Sequence, residues 1–109
     1  MKSTADKHDI ARQAEILKAL GQPARLRMVH MLGLGDLTVG ELAEYVKLDV
    51  STVSRHLALL KTAGIVTSRR EGKSVVYRLA MPCVLNFFAC AADVLQQLDR
   101  AAGRAKRRR

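Results

Sequence analysis

The chain has 109 residues, nineteen Lys and Arg against ten Asp and Glu, and a formal net charge of +9. That length fits one domain, 49% hydrophobic content excludes a disordered chain, and no apolar run reaches the ~18–20 residues that a bilayer span needs. The opening MKSTADKHDI lacks the apolar core of a signal peptide, so a cytoplasmic location without a membrane partner is expected.

In chain order, residues 9–20 read as a first helix, with Ile10, Ala14 and Leu17 at i, i+4 and i+7 and with Ile16 and Leu20 widening the stripe. Gly21 ends it, and Pro23 suits the first turn of a second helix, where its missing N–H costs nothing. Leu26, Met28, Val29 and Leu32 point inward there, and Gly33 and Gly35 break that helix. Thr38 and Glu41 have capping-box spacing, which predicts a short third helix over about 39–46. Lys47, Leu48 and Asp49 form a turn, with Asp49 as N-cap of a fourth helix over 50–63 that Gly64 closes. Val53, Leu57 and Leu60 share its apolar face, with Leu59 beside them.

The period then changes. Ile65–Ser68 is short and β-branched, Arg69–Lys73 is a polar turn holding Gly72, and Ser74–Leu79 alternates, which predicts a β-hairpin with a basic tip. Pro82 opens a last helix over about 82–101 that Gly103 ends. Residues 1–103 then form one domain, and 104–109 form a basic, disordered tail.

The charge lies in two blocks. Residues 1–46 are neutral overall, 47–78 carry +5, 79–99 carry −2 and 100–109 carry +6. A basic block points to a polyanion, most simply nucleic acid. The first block coincides with a short helix, a tight turn and a second helix with an outward polar face, the arrangement that places a helix in the DNA major groove. Ser51, Thr52, Ser54, Arg55 and His56 occupy the first two turns of that second helix, and Lys61 lies further along. Hydroxyls bond bases or phosphates, and Arg can grip guanine with two hydrogen bonds. Arg69, Arg70 and Lys73 at the hairpin tip can reach phosphates or a minor groove, with Tyr77 behind them as a further candidate contact. No Ser/His/Asp arrangement, paired-carboxylate pocket or Gly-rich phosphate loop is visible, so an enzyme is not expected.

The segments Leu17–Arg27, Leu37–Ala43, Ser51–Leu57, Leu60–Val66, Arg69–Lys73 and Val76–Leu79 together resemble the ArsR/SmtB family of winged helix-turn-helix repressors. The resemblance implies a mainly α fold with a small β-hairpin, in the order ααααββα. It also implies a homodimeric repressor that leaves its double-stranded operator when an effector binds, and pairing through the first and last helices, which places Ile10 and Ala14 near the interface. The composition of the last helix gives independent support for a dimer. Val84, Phe87, Phe88, Ala91, Val94, Leu95 and Leu98 make a surface too broad for one small domain to cover.

The effector is less legible. Metal-sensing members of the family carry a Cys-Val-Cys near the third helix, where this chain has Thr38 and Gly40; at the family's last-helix site it has Met81, Cys83, Val94 and Gln97. Neither site is present in its usual form. Cys83 and Cys90 remain, seven residues apart and so on nearly one helical face. Their Cα atoms would stand about 10 Å apart, too far for an intrachain disulfide, which needs about 4.4–6.8 Å. In an antiparallel pair of last helices, Cys83 of one subunit would approach Cys90 of the other, twice per dimer. Arsenite, antimonite or a soft metal ion suits such thiolates; oxidation to a disulfide or polysulfide is the competing chemistry; inert packing of two small apolar side chains is the third reading. A constitutive architectural nucleic-acid binder with no effector is the alternative function.

Overall fold

The computed structural model describes residues 6–107. The elements run α1 (Lys7–Leu20), α2 (Pro23–Leu32), β1 (Leu37–Thr38), α3 (Val39–Val46), α4 (Val50–Thr62), β2 (Val66–Glu71), β3 (Ser74–Leu79) and α5 (Val84–Arg107). Five helices surround a three-stranded antiparallel sheet in the order β1-β3-β2, the winged helix-turn-helix arrangement. Among the described residues no helix is long and apolar enough to cross a membrane.

Local chemistry sets most boundaries. The Gln22 side chain accepts from Arg25 N at 2.9 Å, and Pro23 fills the first turn of α2. Thr38 and Glu41 close a full capping box at the start of α3, with Thr38 Oγ1 accepting from Glu41 N and Glu41 Oε1 accepting from Thr38 N. Lys47, with φ 57°, makes the left-handed turn out of α3, a conformation that few residues other than glycine adopt. In the hairpin, Gly72 takes φ 60° at the first of two loop positions, as primed turns require.

The core lies between α2, α3, α4 and the sheet. Met28, Val29, Leu42, Val53, Leu57, Leu60, Ile65 and Val66 are its fully buried members. The helical stripes of α2, α3 and α4 and the β-branched start of the hairpin meet there, as the periodicity requires.

Several expectations are corrected. The stripe Ile10, Ala14 and Leu17 does not face the core: all three are exposed, and Ile16, Ala19 and Leu20 make the inward contacts of α1. Gly21 has φ −81°, so α1 ends without a left-handed glycine. Leu59 points outward at 53% exposure. The sequence pattern contains no sign of β1, which is two residues long and takes its pairing from Tyr77 and Val76 of β3. Pro82 and Cys83 form a turn ahead of α5 rather than its first residues. At the other end α5 runs through Gly103 to Arg107, so residues 104–107 are helical rather than disordered, while 108 and 109 lie outside the described residues. One exposed glycine costs a helix about 1 kcal/mol, and its Ala, Arg and Lys neighbours are strong helix formers.

Only the first turns of α5 touch the domain. Val84 is buried, Leu85 and Phe88 pack against the core, and Leu85 approaches Gly33 so closely that a Cβ there would meet it at 2.9 Å. Beyond Ala91 every described side chain of the helix is exposed. A helix of 24 residues is about 36 Å long, and the radius of gyration of 17.3 Å exceeds the ~13 Å of a compact chain of about 100 residues.

Candidate nucleic-acid interface

Helix α4 is anchored by Val53, Leu57 and Leu60, all fully buried. That fixes which side chains face out. Ser51, Ser54 and Arg55 are exposed, and Thr52 is half-buried beside them. Arg55 Nη2 lies 3.4 Å from Thr52 Oγ1, a loose contact that leaves the guanidinium's donors available. Asp49 occupies the N-cap position but makes no capping bond; its carboxylate accepts from Ser51 Oγ at 2.6 Å instead. The hydroxyls of Ser51 and, secondarily, Thr52 hold the Asp49 pKa below the ordinary carboxylate value. The first turn of α4 thus carries an ionised carboxylate at its N-terminal end.

His56 borders the buried stripe and turns toward α2. Its Nδ1 stands 3.3 Å from Arg25 Nη1, within reach for donation when the ring proton is on Nε2. Burial, then the charges of Arg25 and Arg55, push its pKa below the ordinary 6.5. Arg25 also donates from Nε to Ala19 O at 2.6 Å. One guanidinium thus links the end of α1, the start of α2 and α4. His56 supports the helix from behind, and Arg25, whose role has no local signature, is the residue that sequence reasoning missed. The only available hint was the position of His56, next to Leu57 and three residues from Val53 on the helix.

The wing divides its cations. Arg69 Nη1 and Nε form ion pairs with Asp36 and Glu71, each at 2.8 Å, and the two carboxylates raise its pKa, Asp36 foremost. Arg69 is thus a brace between the loop before α3 and the hairpin. Arg70 and Lys73 are exposed and form no ion pair among the described residues. Arg78, opposite Thr67 and exposed, adds a wing cation that had no signal of its own in the sequence. Lys61 Nζ donates to Ser68 Oγ at 2.8 Å, tying α4 to β2. Tyr77 lies on the central strand opposite Ser68, half-buried and packed against the core.

The last helix shows a separate surface. Phe87, Val94, Leu95 and Leu98 are 46–59% exposed on α5, and Ile10 and Ala14 of α1 are exposed as well. Val84 lies in the core, Ala91 is half-buried, and Phe88 is half-buried against His30, ring centroids 4.6 Å apart. Cys83, in the turn before α5, and Cys90, within it, are both free and exposed. Among the described residues, no three His, Cys, Asp or Glu side chains gather as a metal cluster.

The model of the family "Bacterial regulatory protein, arsR family" matches residues 22–68, from the α2 cap into β2. An uncharacterized HTH-type transcriptional regulator of Mycobacterium tuberculosis is 39% identical over 93 residues, covering 83% of this chain and 82% of that protein. A transcriptional repressor SmtB homolog of Synechocystis is 40% identical over 86 residues, 79% of this chain and 65% of that one. Among solved structures, a homodimeric winged helix-turn-helix DNA-binding domain from Mycobacterium bovis superposes with a TM-score of 0.76 at 30% identity, over 88% of this chain and 89% of that one.

Proposed function

The chain belongs to the arsR family of bacterial regulatory proteins and is a DNA-binding transcriptional regulator; from that premise we propose a homodimeric repressor whose two α4 helices enter successive major grooves of a double-stranded operator. The observation that carries this reading is the outward cluster of Ser51, Ser54 and Arg55 on a helix whose opposite face is locked into the core. Arg55 reads a base, and the hydroxyls and the wing cations Arg70, Lys73 and Arg78 hold phosphates. The exposed apolar faces of α1 and α5 supply the dimer contact.

Release follows from an effector at the exposed thiols. Cys83 immediately precedes α5 and Cys90 lies within it, so a ligand bridging Cys83 to the partner subunit's Cys90 would change the spacing of the two α4 helices and weaken operator binding by linkage. Arsenite, antimonite or another thiophilic metal or metalloid fits two thiolates. Oxidation of the same pair to a disulfide or polysulfide is the second reading, favoured by the exposure of both sulfurs.

The test is operator binding against salt and competitor DNA, then release by arsenite, zinc, cadmium and oxidants, with Cys83→Ser and Cys90→Ser as controls. Equal affinity for every sequence would replace the repressor with a constitutive architectural binder. Release that survives both substitutions would remove the thiols from the mechanism.

A further inference from the structure

A groove of about 440 Å³ separates α1 from the C-terminal half of α4, within the ~300–1,000 Å³ typical of small-molecule sites. Ile16, Leu59 and Ala63 give it an apolar lining, and Arg12, Lys18 and Arg25 stand against the single carboxylate of Glu15. Arg12, Lys18 and Glu15 form no ion pair among the described residues, so two rim cations are unneutralised. Leu59 leaves an apolar side chain 53% exposed on a helix whose other leucines, Leu57 and Leu60, are fully buried in the core.

The groove stays open when the other surfaces are in use. Arg12, Ile16 and Ala19 lie two residues out of phase with Ile10, Ala14 and Leu17, about 200° around the helix, whereas Lys18, four residues after Ala14, borders the latter face. A second copy seated on that face leaves Arg12, Ile16 and Ala19 free. Likewise Leu59, Thr62 and Ala63 lie beyond the first two turns of α4, where the base-reading side chains sit.

We propose that this groove binds a small organic anion with an apolar body, of the medium-chain carboxylate type, and that Arg25 conveys its occupancy to the recognition helix. The coupling rests on the DNA-recognition reading above; the binding site does not. Arg25 lines the groove and also reaches His56. A carboxylate offers its guanidinium a charge-assisted hydrogen bond, shorter and stronger than the 3.3 Å contact to a neutral imidazole. Binding therefore draws Arg25 from His56 and loosens α4 from α2. Charge complementarity selects the anion, and the lining selects its apolar part.

The experiment uses the full chain and decanoate below its micelle-forming concentration, with decylammonium as the charge-reversed control. Calorimetry should show saturable binding of one decanoate per chain and none of decylammonium. Leu59→Glu and Arg12→Gln, both at exposed positions, should each weaken it at least about tenfold. On a duplex selected from a random pool, decanoate should lower affinity about fivefold or more, within the usual range of coupling, and the His56 imidazole resonances should move in step. Absence of saturation, equal binding of decylammonium or indifference to both substitutions would overturn the site. A loss of duplex affinity in Arg12→Gln without decanoate would also overturn it, assigning that groove cation to DNA. Binding that leaves duplex affinity and His56 unchanged would overturn the coupling. If no sequence-selective duplex emerges, the DNA-recognition reading fails, while calorimetry still decides the site.

Discussion

The half of the molecule that holds α3, α4 and the wing is finished within one chain; the half made by α1 and α5 is not. In the first, apolar side chains meet in a closed core, Lys61 is tied to Ser68, and Arg69 is braced by two carboxylates. In the second, α5 leaves Phe87, Val94, Leu95 and Leu98 in solvent, and α1 leaves Ile10 and Leu17. The recognition unit owes its shape to its own sequence. The outer helices present an apolar surface that one chain leaves uncovered; in the proposed dimer a second copy covers it, and the spacing between two recognition units is set there rather than within either unit.

The largest effect should come from breaking the finished half. Leu57→Ala, at a fully buried position, should cost about 2–5 kcal/mol in chemical unfolding and take DNA binding with it. Leu95→Glu attacks the unfinished half: the chain should stay folded by circular dichroism, while dimer formation in sedimentation weakens by about 2 kcal/mol or more. A mutant that unfolds instead would show that the halves are not separable. Arg55→Ala should cost about 1–3 kcal/mol at the preferred operator and relax selectivity at one base pair. Within the wing, Arg70→Ala and Lys73→Ala should each lower the salt slope of DNA binding by about 1. Arg69→Ala should lower it by less, because Asp36 and Glu71 already offset its charge; an equal drop would mean that the ion pairs open on DNA.

The smallest effect is the pH dependence carried by His56. Its folded pKa lies below the ordinary value of 6.5, so the unfolded chain takes up the proton first as pH falls. The contribution is fully present above about pH 6.5 and is lost as pH drops from there toward the lowered folded value. Thermal unfolding of His56→Gln should lack that component between pH 7 and 5.

What could be read from the sequence was local or periodic. Thr38 and Glu41 announce α3 by a bond four residues wide, Gly72 announces the turn, and the 3.6-residue stripe of α4 predicts both its buried and its reading faces. What could not be read depends on distant partners. Arg69 looks like a free tip cation until Asp36, 33 residues away, is placed beside it. His56 looks like a DNA contact from the sequence, and its approach to Arg25, 31 residues away, emerges only in the fold. The stripe Ile10, Ala14 and Leu17 was legible as apolar, but periodicity alone does not say whether a helix buries its stripe in its own domain or against another copy. The thiols were legible as a pair; the proposed contact between chains depends on a second subunit.

The two-residue strand β1 has a kinetic consequence. Leu37 and Thr38 pair with Tyr77 and Val76, closing a chain loop of about forty residues that contains α3, α4 and the outer strand of the hairpin. Helical contacts and the hairpin turn form between near neighbours, whereas this pairing must first meet the entropy of joining distant points. The ladder between β1 and β3 should thus be absent from the folding transition state. Substitutions that weaken it should speed unfolding and leave the refolding rate nearly unchanged, so this short strand would act as the latch that sets how long a folded wing stays in place.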